Sequence, residues 1–273
     1  MRKTITIGET TLSYVERNLF ATKTIFFIHG NSGSSKVWQR QFESRLLENY
    51  RLVAIDLPGH GLSSHSKNPS EDYSPIGTAT ILSKAISELA NKNEFVIAGF
   101  SYGSNLAAEV LALGLKPSGL VFVASCVLGE NYGLDKIFIR SSQPSILLYN
   151  ELDAKTVETY MSKSLLSTSE EDLHNCIEDY LRVDVNFKTA VFKAAYEGKI
   201  SDEIKTLQKK RIPACVIFGK NDTLIHVDYL DSTPFPIWRN HIYKLLGAGH
   251  WAHIDSADSF NQLIRDYSDE CLK

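Results

Sequence analysis

Short apolar runs alternate with amphipathic stretches over most of the chain. Residues 24–28, Thr-Ile-Phe-Phe-Ile, are apolar without interruption, as a strand buried on both faces requires. Residues 52–55, 95–98, 120–124, 214–218 and 242–246 repeat that character and are rich in β-branched and aromatic side chains. An earlier strand is read at 11–15. Between the runs the spacing turns helical: Ile81, Leu82, Ala85, Ile86 and Leu89 share one face, as do Leu106, Val110 and Leu113. Phe260, Leu263, Ile264 and Tyr267 form a last apolar stripe, with Asp255 or Ser256 placed to cap it. This alternation predicts an α/β fold whose mostly parallel central sheet is flanked by helices.

Residues 128–207 break the pattern. They hold no clear buried strand and are rich in Ser, Glu, Asp, Lys and Tyr, with helical patches at Val157, Tyr160 and Met161 and at Leu173, Ile177 and Tyr180. We read them as a helical cap inserted into a core made of residues 1–127 and 208–273. Ordinary helices of a second domain would give a similar pattern.

Composition narrows the class. Of 273 residues, 43% are hydrophobic and 22% charged, with a formal net charge of -3, which fits a globular protein and offers no basic footprint for nucleic acid or an anionic membrane. No apolar run approaches the roughly 20 residues of a membrane span. Thr and Glu interrupt the stretch Met1 to Glu9 before it could serve as a secretory leader. The four cysteines, at 126, 176, 215 and 271, lack paired spacing. They read as free thiols of a cytoplasmic protein, with Cys126 and Cys215 as small core residues. A monomer or a homodimer is expected.

The chemistry centres on Gly99-Phe100-Ser101-Tyr102-Gly103, a G-x-S-x-G sequence between an apolar strand and an apolar-periodic helix. A sharp strand-to-helix turn lifts a serine hydroxyl into a cleft, and small flanking residues let strand and helix approach. Where such a turn holds the nucleophile, an acid and then a histidine follow along the chain. Asp222 fits the acid, after the run 214–218 and Gly219; Asp also favours turns. The alternative position after 120–124 holds Ser125, Cys126 and Val127, with no carboxylate. His250 fits the base, directly after Gly247-Ala248-Gly249, with His253 as its competitor, expected at the rim or at the start of the last helix. His226 reads as a surface or rim residue. His250 would accept the Ser101 proton, and Asp222 would fix its tautomer.

Acyl transfer also needs donors for a developing oxyanion. The backbone N–H groups of Tyr102 and of Asn31, in His29-Gly30-Asn31-Ser32, are expected to supply them. His29 reads as a structural turn residue. Gly30 and Trp251 are expected at the substrate. Asp56-Leu57-Pro58-Gly59-His60-Gly61 should shape the site wall without taking part in chemistry. No cofactor is called for, and no dense His/Asp cluster such as H-x-H-x-D-H suggests a metal.

In order, His29-Gly30-Asn31-Ser32, Asp56-Leu57-Pro58-Gly59-His60-Gly61, Gly99-Phe100-Ser101-Tyr102-Gly103 and Gly247-Ala248-Gly249-His250 resemble the α/β-hydrolase fold superfamily. The likeness is greatest to its metal-independent N-acyl-homoserine lactonase and esterase branch, on His29 to Ser32, on Val157-Glu158-Thr159-Tyr160 and on Ile237-Trp238. That resemblance implies a serine triad opening an ester or lactone, with Tyr160 donating its hydroxyl to the lactone and Asn31 binding its oxygen. The chain departs from that branch at Asp222, in place of Glu, and at Tyr102, in place of Leu. Leu147, Leu148, Met161, Leu165 and Leu166 would suit an acyl chain. C–C bond hydrolysis or perhydrolase chemistry is open to the same triad, and a slowly turning-over ligand receptor would keep it too.

Overall fold

The computed structural model describes residues 1–139, 152–167 and 169–273; Leu147 and Leu148 therefore lie outside the described residues. Among these, the buried runs become strands: β1 (Arg2–Ile7), β2 (Thr10–Arg17), β3 (Thr24–Ile28), β4 (Arg51–Ile55), β5 (Phe95–Phe100), β6 (Gly119–Val123), β7 (Ala214–Gly219) and β8 (Tyr243–Leu245). They form one sheet in the order β1-β2-β4-β3-β5-β6-β7-β8. Pairs β1–β2 and β2–β4 are antiparallel, and every later pair is parallel. Strands β3, β5, β6 and β7 are buried at every position, because helices cover both faces of the parallel part.

The helices are α1 (Gln39–Glu43), α2 (Pro69–Asp72), α3 (Pro75–Ala90), α4 (Tyr102–Ala112), α5 (Leu134–Ile137), α6 (Ala154–Ser164), α7 (Glu170–Arg182), α8 (Val185–Tyr196), α9 (Glu203–Lys210), α10 (Ala252–Asp255) and α11 (Ala257–Cys271). Successive side chains of β3 point to opposite faces. Phe26 and Ile28 pack with Leu82 and Ile86 of α3 and Leu106 and Val110 of α4. Ile25 and Phe27 pack with Phe260, Ile264 and Tyr267 of α11. Helix α3 starts on a Ser74 side chain that accepts from Gly77 N, with Pro75 at its first position, and stops at left-handed Asn91.

Three local expectations change. Strand β1 is an addition to the strands expected: its residues alternate between exposed and half-buried as far as Ile7, and Arg2 and Lys3 mask that pattern. Lys3 and Arg51 both bind the Glu16 carboxylate, at 2.8 and 2.5 Å, joining β1 to β2 and β4. Helix α4 ends at Ala112, so Leu113 is exposed while Ala107, Ala108 and Leu111 fill the buried face. Helix α11 has no side-chain cap bond from Ser256. Asp255 instead accepts from the N–H groups of Leu166, Ser167 and Gly249, at 2.9, 2.7 and 2.8 Å.

Helices α6 to α8 lie between β6 and β7 in sequence and pack over the C-terminal side of the parallel strands. Val157 and Met161 of α6 and Cys176 and Tyr180 of α7 join the cluster around β3 and β5. Ser34 Oγ donates to Asp179 Oδ2 at 2.6 Å, and Lys36 binds Glu178 at 2.7 Å, tying α7 to the loop after β3. The boundary expected at 207 falls inside α9, whose Ile204 and Leu207 pack into the sheet cluster.

Candidate active site

The G-x-S-x-G turn is built by its two glycines. A Cβ at Gly99 would stand 2.2 Å from Gly103 O, and one at Gly103 would stand 2.3 Å from Ile28 O. Only hydrogen at both positions lets β5 turn directly into α4 beside β3. Ser101 sits between them at φ 50° and ψ −119°, a conformation that costs an ordinary residue of order 1–3 kcal/mol. Its N–H donates to Val123 O at 2.8 Å, and Ser104 Oγ donates to its carbonyl at 2.6 Å. The strain is thus held by β6 on one side and by α4 on the other.

Asp222 and His250 meet through a second glycine contact. A Cβ at Gly219 would collide with Gly249 O at 2.0 Å, so the loops after β7 and β8 touch backbone to backbone. Asn221 N donates to Ala248 O at 2.9 Å. Within this junction His250 Nδ1 lies 2.8 Å from Asp222 Oδ2, with both side chains buried. The other carboxylate oxygen accepts from Leu224 N and Ile225 N, at 2.8 and 3.0 Å. A carboxylate fixed by two amides accepts the hydrogen bond from Nδ1–H, the tautomer that leaves a lone pair on Nε2.

Ser101, His250, Asn31, Tyr102, Tyr160 and Trp251 border one cavity, and Asp222 stands behind His250. The described hydrogen-bond contact of Ser101 Oγ is to Cys126 Sγ, at 3.7 Å, and not to His250; contacts of this kind often tighten only when substrate is bound. Among the described residues, no bond uses the N–H of Asn31 or of Tyr102, and the latter is a free donor at a helix start. The Tyr160 hydroxyl is buried with no hydrogen-bond partner, and burial raises its pKa, so it stays protonated. The Trp251 indole is already engaged by Ser164 Oγ at 3.2 Å, so its ring serves as wall.

Other expected residues fall elsewhere. Gly30 does not border the cavity; a Cβ there would press on the Phe100 ring at 3.1 Å, so its role is the close approach of the two loops. None of residues 56–63 borders the cavity either. The Asp56 carboxylate binds Arg2 at 2.8 Å and Ser35 N at 2.7 Å, fastening β1 to the loop after β3. His29 is fully buried, with Nε2 accepting from Leu57 N at 2.9 Å, as a structural turn residue. His253 lies neither at the rim nor at the start of α11. It is buried in α10 against Trp38 and Phe100, and burial pushes its pKa down to about 3. Of the apolar residues expected along an acyl chain, Met161 borders the cavity, whereas Leu165 and Leu166 do not.

Two cavity residues escape the sequence pattern. Cys126, expected in the core, borders the cavity beside Ser101; burial raises its thiol to about 12, which keeps it a thiol. Asn105 follows Ser101 by one helical turn and also borders the cavity. The available signal is position: Cys126 follows the carboxyl end of a parallel strand, where open α/β sheets place their ligands. Among the described residues no group of three or more His, Cys, Asp or Glu is placed to share a metal ion. Among the same residues, no helix is long and apolar enough to cross a membrane.

A mostly parallel sheet, a strained serine after its central strand, and an acid and a histidine on later loops are the layout of an α/β-fold hydrolase. Residues 25–263 match the alpha/beta hydrolase family, and the chain belongs to it. A 2-hydroxy-6-oxononadienedioate/2-hydroxy-6-oxononatrienedioate hydrolase from Klebsiella pneumoniae is 23% identical over 90% of this chain and 86% of its own length. Among solved structures, a serine-to-glycine mutant of the N-acyl homoserine lactonase AidH complexed with N-hexanoyl homoserine lactone superposes with a TM-score of 0.92 at 19% identity, over 100% of both chains. An esterase from Rhodococcus sp. ECU1013 gives 0.78 at 19% identity, over 99% of both.

Proposed function

We propose that this protein hydrolyses carboxylic esters or lactones through an acyl-enzyme on Ser101, with N-acyl-homoserine lactones as one substrate class. The reading is carried by the Asp222–His250 pair, whose histidine borders the same cavity as the strained serine. His250 Nε2 takes the hydroxyl proton as Ser101 Oγ bonds to the acyl carbon, and the carbonyl π pair moves onto oxygen. The N–H groups of Asn31 and Tyr102 hold that oxyanion, each worth about 3 kcal/mol in the barrier. Collapse breaks the bond to the alkoxide, which leaves with the proton from His250. Water then repeats the sequence on the acyl-enzyme. In a lactone the alkoxide stays tethered, and the Tyr160 hydroxyl donates to it.

C–C bond hydrolysis is the second reading, favoured by the name of the Klebsiella relative. The cavity argues against that particular substrate. A dienedioate carries two carboxylates, and no Lys or Arg borders the cavity among the described residues. Charges moved into such a wall would lose hydration without a partner. A neutral ester or lactone has no such cost.

The test is turnover of p-nitrophenyl esters and homoserine lactones of several chain lengths by the wild type and Ser101→Ala. We expect kcat to fall by about 10⁴-fold or more, and a fluorophosphonate probe to label Ser101. Unchanged turnover in Ser101→Ala would overturn the assignment. Cleavage of a vinylogous diketone without ester turnover would favour the C–C reading.

A further inference from the structure

We propose that Asn105 reads a hydrogen-bond donor on the acyl group, so that the preferred substrates carry an O–H or N–H about one helical turn from the reacting carbonyl. The inference deepens the ester and lactone reading and rests on it. Asn105 is 4% exposed and borders the cavity. Its Nδ2 donates both to Cys126 O, at 2.7 Å, and to Glu203 Oε2, at 2.8 Å. Two acceptors on one nitrogen settle which end of the amide is which. The remaining atom, Oδ1, takes part in none of the described hydrogen bonds.

An amide oxygen on the cavity wall without a protein partner has only solvent to bond, and a substrate donor can take the place of that solvent. Much of the surrounding wall is apolar. Pro75, Leu128, Val191 and Ile200 border the same cavity and are apolar. Glu203 Oε2 also accepts from Leu128 N at 2.7 Å, and the carboxyl is fully buried. Burial raises its pKa well above the usual carboxylate range, which favours the uncharged form. The amide is therefore held by a fixed frame and contributes an acceptor without a charge. An acceptor selects a donor and gains nothing from an ether or a ketone. Four residues along α4 from Ser101 is a rise of about 6 Å, which matches the third or fourth atom of an acyl chain.

The experiment compares p-nitrophenyl octanoate, 3-hydroxyoctanoate and 3-methoxyoctanoate. The two substituents withdraw electrons to a similar degree, but only the hydroxyl donates. We expect kcat/KM for the hydroxy ester to exceed that for the methoxy ester by about tenfold in the wild type. The ratio should fall to near one in Asn105→Leu and persist in Tyr160→Phe. Equal rates in the wild type, or a preference abolished by Tyr160→Phe, would overturn the proposal. Calorimetric binding of the matching octanamides to Ser101→Ala reads the same preference without turnover. Failure of the hydrolase reading shows as no turnover of any ester and no labelling of Ser101, whereas failure of the Asn105 reading shows as hydroxy and methoxy amides binding alike.

Discussion

Strand β3 buries Thr24, Ile25, Phe26, Phe27 and Ile28 in succession, all 0% exposed. Helices α7 and α8 and the turn between them bury Asp179, Asp184 and Lys188. Strands β3, β5, β6 and β7, buried throughout, are held by apolar contact and ladder hydrogen bonds, which do not titrate. The segment above them is held in part by ionisable groups taken out of water. Lys188 Nζ lies 3.4 Å from the centre of the Tyr180 ring, and burial lowers its pKa to about 7. Burial raises Asp179 to about 6 against the opposing hydrogen bond from Ser34. The half of the site that carries the proposed nucleophile thus stands on strands whose own contacts do not titrate. The half that closes over the substrate does not.

The largest effect separating the two regions is expected in the sheet. Gly103→Ala puts a methyl group 2.3 Å from Ile28 O and 2.8 Å from His29 O, and both neighbours are backbone. Helix α4 must then move away from β3 and take Ser101 with it. We expect a loss of about 3 kcal/mol or more in unfolding free energy, together with loss of turnover, read by urea denaturation and ester hydrolysis. A variant that melts like the wild type would show that the turn tolerates a wider spacing than this geometry allows.

The same contrast explains which parts of the molecule are legible in the amino-acid sequence. Fully buried strands such as 24–28 and 95–98 announce themselves, because burial on both faces demands an unbroken apolar run. The turn at Ser101 and the loops carrying Asp222 and His250 are legible because glycines mark the close approaches. Strand β1 is not, since it buries little and begins with two cations. Asn105 and Cys126 are not, because facing a cavity leaves no periodic trace: one sits on a helix face and the other follows a buried strand, like core residues. His253 misleads because a histidine two residues beyond Trp251 looks polar, and only the packing of Trp38, Phe100 and Phe260 around it shows it held in an apolar site.

Lys188 offers the next largest effect, in the cap. Between pH 7 and about 10.5 the unfolded lysine carries a proton that the native one lacks. The unfolded state then binds more protons, so stability rises with pH across that window. Lys188→Met keeps the length of the side chain and removes the need to shed a proton. We expect a gain of about 2 kcal/mol at pH 7, and the rise toward pH 10 should disappear. Urea midpoints at pH 7, 8.5 and 10 check both. A wild type whose stability is flat over this range would refute the idea that the cap holds a titrating cation.

Asp179 works in the opposite sense and should give the smallest effect. Its folded pKa lies above the unfolded value, so between about pH 4 and 6 the native state holds a proton that the unfolded chain has released. Stability therefore falls as pH rises through that window and is level above it with respect to this group. Asp179→Asn preserves an oxygen for Ser34 Oγ, which itself accepts from Lys36 N at 3.2 Å, and it removes the charge. We expect a gain of about 1 kcal/mol at pH 7 and no decline between pH 4 and 6. Lys36 faces the carboxylate and favours its ionised form, while Asp56 and Glu178 disfavour it, which is why the effect stays below that of Lys188. Combining Asp179→Asn with Lys188→Met should remove both the decline between pH 4 and 6 and the rise above pH 7 that these two groups contribute. If the double variant keeps a minimum near neutral pH, other buried groups set it, and the contrast between apolar strands and a titrating cover must be redrawn around them.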